Sequence, residues 1–232
     1  MYFNFNYLVF MLPAFIITLV VQIKLKATYS RYSSVKNERG LTGAQAAQET
    51  LRNAGVYGVR IEQTSGKLTD HFSPNENVIR LSKDVYNGTT IAAVGIACHE
   101  AGHAIQYDQE YAPIKLRNSL IPVTNIGSKI GFILMIIGIV LAGLIQYSDA
   151  IFFVGIILYS LVVVVQLVTL PVEFNASRRA MESIRGSGML SDDECRGARK
   201  VLTAAALTYV AALISSVMTV LYYVTLANRR RR

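Results

Sequence analysis

The chain has 232 residues, of which 52% are apolar, and its mean hydropathy is positive at +0.37. The apolar residues are concentrated in uncharged runs long enough to cross a bilayer, which indicates an integral membrane protein. The net charge is +8, but the basic residues lie mostly beside the apolar runs, where anionic lipid headgroups attract them. This distribution disfavours nucleic-acid binding. Two cysteines without a C-x-x-C pattern indicate no disulfide framework.

The first apolar run, from Tyr7 to Ile23, has an accepted length for a membrane span and is followed at once by Lys24 and Lys26. The residues before it lack the basic character of a secretory signal, so we expect a retained anchor rather than a cleaved peptide. We therefore predict an N-terminal transmembrane anchor over residues 1–26.

Residues 27–128 separate this anchor from the next predicted span. Thr42 and Gln45 have the spacing of a capping box and predict the start of a short helix. Two runs with β-branched residues, 56–63 and 77–81, predict a small β-sheet. An extended peptide can bind at a sheet edge as a further strand. The second run supplies the candidate edge strand, with Val78, Ile79, Arg80 and Leu81.

The pattern His99-Glu100-Ala101-Gly102-His103 is the best sequence clue to function, and it makes residues 27–128 the predicted catalytic region. Residues four apart share one face of an α-helix, so His99 and His103 can direct ring nitrogens at one metal ion. Glu100 lies beside the first ligand, where it can take a proton from a water held by the metal. Apart from Glu100, residues 91–105 carry no charge, which predicts a buried helix rather than a chance match on a surface helix.

Two uncharged runs within residues 129–172 predict a transmembrane hairpin with a very short turn at Ser148 and Asp149. Such a hairpin returns the chain to the membrane face that it left. Glu173 would then emerge on the face where the HExxH helix lies. Two histidines and one glutamate are a known ligand set for catalytic zinc, so Glu173 is the predicted third ligand.

Alternatives to this ligand set remain open. Glu173 could instead be an interfacial carboxylate paired with Arg178 or Arg179. His71 could be a ligand, because catalytic zinc sites with three histidines also exist. His71 and Tyr107 are also candidate donors that would stabilise the transition state.

Residues 173–200 form a second predicted catalytic segment, and residues 201–232 form a C-terminal transmembrane helix with a basic tail. Four spans place both termini on one side of the membrane and the two catalytic segments on the other. The catalytic segments hold most of the lysines and arginines, so the positive-inside rule predicts an active site on the cytoplasmic face. The four arginines at 229–232 oppose this orientation.

Three stretches of the chain carry a resemblance to a known family: Leu68-Thr69-Asp70-His71, Ala92 to Gln106, and Leu170 to Ala180. With these stretches, most of the chain resembles the YugP-type membrane zinc metallopeptidases. The resemblance implies a zinc-dependent endopeptidase of a bacterial cell membrane, with His99, His103 and Glu173 as metal ligands and Glu100 as the catalytic base.

The more distant HtpX-type and CAAX-processing membrane proteases are similar in plan but differ after the ligand glutamate. They carry an aspartate four residues after it, where this chain has Ser177. Asn175 stands where closer relatives are expected to carry an aspartate. Asn175 and Ser177 are therefore candidates for the residues that orient the metal ligands, although neither supplies a charge.

Together these features predict a mainly α membrane protein with about four transmembrane helices and a zincin-like (gluzincin) catalytic region whose small β-sheet lies at the membrane face. The predicted function is a zinc endopeptidase, with one Zn²⁺ per chain, that hydrolyses membrane or membrane-proximal proteins through a zinc-activated water. The alternative is a non-catalytic, zinc-stabilised membrane scaffold or partner-binding protein. Glu100 disfavours it, since a structural zinc site has no use for a base. A homo-oligomer or a membrane partner stays open.

A transporter or channel is a third class of function. The predicted spans carry almost no ionisable residues at mid-membrane, where transport would need them. The sequence therefore disfavours this class.

Overall fold

The computed structural model describes residues 5–230, which are mainly helical with one small sheet. Positions 1–4 and 231–232 of the predicted anchor and basic tail lie outside the described residues. In chain order the elements are α1 Phe5–Tyr32, α2 Gly43–Asn53, β1 Arg60–Thr64, β2 His71–Ser73, β3 Val78–Ser82, α3 Lys83–Tyr86, α4 Ile91–Asp108, α5 Ala112–Val140, α6 Ser148–Tyr159, α7 Leu161–Gly186 and α8 Asp192–Arg230.

Within the described residues, four helical stretches are long and apolar enough to cross a membrane, as the sequence predicts. They are Tyr7–Tyr32, Ala112–Val140, Ser148–Gly186 and Asp192–Arg229. Together with the three-stranded sheet, they confirm the predicted fold class of a mainly α membrane protein with a small β-sheet.

The chain divides into two compact units, and the first contains the described parts of Met1–Val21, Lys115–Leu170 and Tyr209–Arg232. Within this unit, α5 and α6 approach closely through glycines. A Cβ atom on Gly131 would lie 2.6 Å from the carbonyl oxygen of Gly155. Small residues allow such backbone approach between apolar helices, where packing rather than the hydrophobic effect favours association.

The second unit contains Gln22–Ile114 and Pro171–Thr208, and α4 has buried apolar partners on two sides. One cluster packs α4 against α7 and α8, and it includes Val94, Cys98, Ala180, Ile184, Ala198 and Leu202. A second cluster packs α4 against α2 and the sheet, and it includes Ala93, Ala97, Ala101, Ala47, Leu51 and Ile79. Burial on both sides explains why this helix has no charged face.

The sheet has the strand order β1-β3-β2, so β3 is its central strand. Arg60 of β1 pairs in parallel with Val78, and His71 of β2 pairs antiparallel with Arg80. The prediction that Val78, Ile79, Arg80 and Leu81 form a substrate-binding edge is therefore wrong. The physical reason is the short strand β2, which folds back and satisfies the backbone groups on the second side of β3.

Several element boundaries also differ from those predicted. Helix α1 continues to Tyr32, into the segment predicted as the start of the catalytic region, because no glycine or proline lies between Lys24 and Tyr32. Helix α5 ends at Val140, and Gly143 then adopts a φ of +76°, a left-handed conformation that favours glycine. Ser148 and Asp149 open α6 rather than forming the hairpin turn, so the predicted turn is wrong.

A substitution at Gly102 tests how closely α4 and α7 pack. A Cβ atom at Gly102 would lie 2.7 Å from the carbonyl oxygen of Ala176, which is backbone and cannot rotate away. Gly102→Ala should therefore lower the stability of the second unit by about 1–3 kcal/mol. Thermal unfolding of the detergent-purified chain, followed by circular dichroism, measures the effect.

Gly95→Ala on the same helix is the matched control. A Cβ atom at Gly95 would meet the Cβ of Ala198 at 3.6 Å, an ordinary contact. This variant should unfold at the native temperature or slightly above it, since alanine favours a helix over glycine by about 1 kcal/mol. An equal loss of Tm in both variants would contradict the close approach of α4 to the α7 backbone at Gly102.

Candidate metal centre

The local sequence explains why α4 begins and ends as it does. The Thr90 side chain caps the helix by accepting a hydrogen bond from the Ala93 backbone N–H at 3.2 Å. Small apolar residues then continue the helix to Asp108 between its two packing partners. His99 and His103 lie one turn apart on this helix and retain 16% and 13% of side-chain exposure.

Glu173 of α7 meets the two histidines. Its Oε2 lies 3.4 Å from Nε2 of His99 and 3.6 Å from Nε2 of His103. The ligand atoms of all three residues lie within 4.8 Å of one another. Only 2% of Glu173 is exposed, so its carboxylate is buried with the imidazoles. This group could hold one metal ion.

The other nitrogen of each imidazole has a hydrogen-bond partner. Nδ1 of His99 lies 3.2 Å from the hydroxyl oxygen of Ser177, and Nδ1 of His103 lies 3.0 Å from Oε1 of Gln106. The Gln106 oxygen can only accept, so His103 donates from Nδ1. The same tautomer in His99 lets Nδ1 donate to Ser177. Each Nε2 then keeps its lone pair for a metal.

Gln106 is a residue that the sequence analysis missed. It is fully buried, and its Nε2 donates to the carbonyl oxygen of Val172 at 2.7 Å and to Oδ1 of Asn175 at 3.0 Å. Arg179 also donates from Nε to Oδ1 of Asn175 at 2.7 Å. Gln106 thus connects His103 to two positions of α7, Val172 just before Glu173 and Asn175 just after it. An uncharged polar residue one turn after the motif, in an apolar helix, was the available signal.

Glu100 follows the first histidine and is 9% exposed. Burial by itself would lower the pKa of His103, but the nearby carboxylates of Glu100 and Glu173 outweigh burial and raise that pKa. A proton therefore competes with a metal ion for His103, as expected for an imidazole ligand.

Cys98 packs away from the candidate centre. Thr50 Oγ1 donates to its sulfur at 3.2 Å, and burial raises the pKa of the thiol to about 12. A neutral thiol is a poor metal ligand, which favours the packing role expected for this cysteine.

His71 and Tyr107 lie outside the group formed by the three candidate ligands. His71 is exposed on β2, and its Nδ1 lies 2.8 Å from the carbonyl oxygen of Thr69. The Tyr107 ring packs against Phe72 of the same strand, with 5.4 Å between ring centroids. Their assignment as transition-state donors stays a prediction. Among the described residues, the one group able to hold a metal contains Glu173 and not His71.

Comparison with known proteins decides the family. The sequence profile of the family described as "Putative neutral zinc metallopeptidase" matches residues 7–228. The chain belongs to this family. A similar relative is the "Putative membrane protease YugP" of Bacillus subtilis (strain 168), which is 43% identical over 203 residues and covers 88% of each chain. No solved structure matches the chain. The resemblance inferred from sequence is confirmed, and the chain is a membrane protein of the zinc metallopeptidase family.

The residues present fit the zinc that this family implies. Two imidazole nitrogens and one carboxylate oxygen are a donor set of catalytic zinc, and three protein ligands leave a fourth position for water. The Gln106 oxygen selects the His103 tautomer that zinc binding requires, and the Ser177 hydroxyl is compatible with the same tautomer in His99.

Removing Gln106 should weaken zinc binding without removing a ligand. Gln106→Ala frees the His103 ring to reorient and leaves the Val172 carbonyl without this donor, so we expect zinc affinity to fall about 10- to 100-fold. Zinc competition against a chromogenic chelator measures this loss. Gln109→Ala is the matched control, since Gln109 accepts a hydrogen bond from Arg179 and does not touch a histidine. Equal zinc affinity in both variants would contradict the role of Gln106.

Proposed function

We propose that the chain is an integral-membrane zinc endopeptidase that holds one zinc ion through His99, His103 and Glu173. The observation that carries the proposal is the convergence of two imidazoles from α4 and one buried carboxylate from α7, next to Glu100. Glu173 follows the two histidines by 70 residues or more in the sequence, and each imidazole has a further hydrogen-bond partner. A chance HExxH match on a surface helix would have neither feature.

The proposed chemistry is hydrolysis of a peptide bond. Bound zinc would supply Lewis acidity, which lowers the pKa of water to about 7 and polarises the substrate carbonyl. Glu100 accepts the proton of the attacking water and then donates it to the nitrogen of the departing amine. Ser177 and Gln106 keep the two imidazoles in one orientation throughout. His71 or Tyr107 would donate to the developing oxyanion.

Apolar, membrane-derived segments are the proposed substrates. A groove of about 510 Å³ runs beside the candidate centre, and Ser177, which contacts His99, is part of its wall. Apolar side chains from α7 and α8 also line this groove, among them Phe174, Met181 and Leu202. Such a groove suits an apolar substrate side chain next to the scissile bond.

We propose that the substrate backbone adds to the outer edge of β2. With β3 in the centre of the sheet, β2 is the edge strand that packs against α4 through Phe72 and Tyr107. The excess of basic residues in the two catalytic segments supports a multi-pass protein with its active site on the cytoplasmic face of a bacterial cell membrane.

Two substitutions separate catalysis from metal binding. Purified Glu100→Gln should retain zinc but lose about 100-fold or more of its cleavage of denatured and membrane-bound substrates, because it lacks the base. Glu173→Ala should lose zinc and cleavage together, because it lacks a ligand. Gel assays of cleavage and metal analysis by mass spectrometry supply the two measurements.

The controls make the test specific. Glu49→Gln removes a carboxylate from α2, outside the centre, and should keep both zinc and activity. His71→Ala should keep zinc and lower the rate of cleavage if His71 is the oxyanion donor. Full zinc binding in Glu173→Ala with zinc lost from His71→Ala would overturn the proposed ligand set. Bound zinc without cleavage in the native chain would favour the scaffold function.

A further inference from the structure

A further cavity, in the second compact unit, has a strongly basic wall. It measures about 710 Å³ and lies between the end of α1 and the start of α8, apart from the three candidate metal ligands. None of the described residues that line it is acidic. Its cationic lining residues are Lys24, Arg31, Arg196, Arg199 and Lys200.

Four of these five cations have no carboxylate partner in the described part of the chain. Arg196 forms an ion pair with Asp193 on its own helix, whereas Lys24, Arg31, Arg199 and Lys200 appear in no ion pair between described residues. Like charges at this density repel one another unless an anion lies among them. The cavity is therefore suited to an anionic ligand.

The walls of the cavity are held together by close packing. The Tyr32 ring lies against Gly197, where a Cβ atom would approach within 2.7 Å of the ring. The Arg31 guanidinium lies 5.6 Å from the centre of the same ring. Tyr32 also packs against the buried cluster that contains Val94 and Cys98 of α4. The basic groups thus line a preformed cavity rather than a flexible tail.

The position of the cavity along α1 and α8 indicates which class of anionic ligand fits it. Lys24 directly follows the uncharged run of α1 that ends at Ile23, and Lys200 directly precedes the apolar run of α8 that begins at Val201. Both helices are long and apolar enough to cross a membrane. Basic cavities between such helices, at the level of the headgroups, bind anionic lipids.

We propose that this cavity binds the headgroup of an anionic phospholipid. The phosphate contacts the unpaired lysines and arginines, and the acyl chains lie along the apolar surfaces of α1 and α8. Because α8 packs against α4 through Ala198 and Gly95, the lipid contacts a helix that supports the candidate metal centre. Lipid binding itself does not depend on the proposed peptidase activity.

Native mass spectrometry of the detergent-purified full chain tests this proposal, with phosphatidylglycerol and phosphatidylcholine of identical acyl chains as probes. The native chain should bind phosphatidylglycerol about tenfold or more tightly than phosphatidylcholine, because several cations contact the phosphate region. The triple variant Lys24→Gln/Arg31→Gln/Lys200→Gln should lose this preference. All three side chains are exposed, so the substitutions leave the core unchanged.

A matched triple variant excludes a general effect of charge. Lys36→Gln/Lys67→Gln/Lys83→Gln removes the same charge from exposed positions outside the cavity and should keep the preference for phosphatidylglycerol. Equal binding of the two lipids by the native chain, or an equal loss in both triple variants, would overturn the proposal. Displacement of phosphatidylglycerol by equimolar inorganic phosphate would also overturn it, by assigning the cavity to a soluble anion.

Discussion

The close approach of α4 to α7 is the constraint on which the candidate metal centre depends. The HExxH spacing brings two imidazoles together within one helix, but the third donor comes from a helix beyond two apolar segments. Glu173 reaches both imidazoles because Gly102 lets α4 lie against the backbone of Ala176. The buried apolar cluster shared by α4, α7 and α8 then keeps the helices at this distance.

Polar contacts within this packed region fix the rotation of α4 about its axis. A buried polar group left without a partner costs about 1–3 kcal/mol, so the amide of Gln106 favours the one arrangement in which it meets His103, Val172 and Asn175 together. Ser177 provides the corresponding contact to His99. The Ser177 hydroxyl and the Gln106 amide thus give each imidazole a neutral partner.

The sequence predicted the long helices, and it selected the three side chains that the structure brings together, because both depend on local spacing and strong chemical preference. It failed at β2, because a strand of three residues is too short to show alternation, and so β3 was assigned to an edge. It also placed the hairpin turn too late, because the turn before Ser148 is itself apolar. Gln106 was missed because burial of a glutamine depends on the partner helix, which the sequence of α4 does not contain.

The most direct test of this account is X-ray absorption at the zinc edge of the purified native chain. The account predicts one zinc per chain, bound by two imidazole nitrogens at about 2.0–2.1 Å and by oxygen ligands at about 2.0–2.2 Å, from a carboxylate and a water. Sulfur at about 2.3 Å, or a third imidazole in place of the carboxylate, would contradict the centre formed by His99, His103 and Glu173.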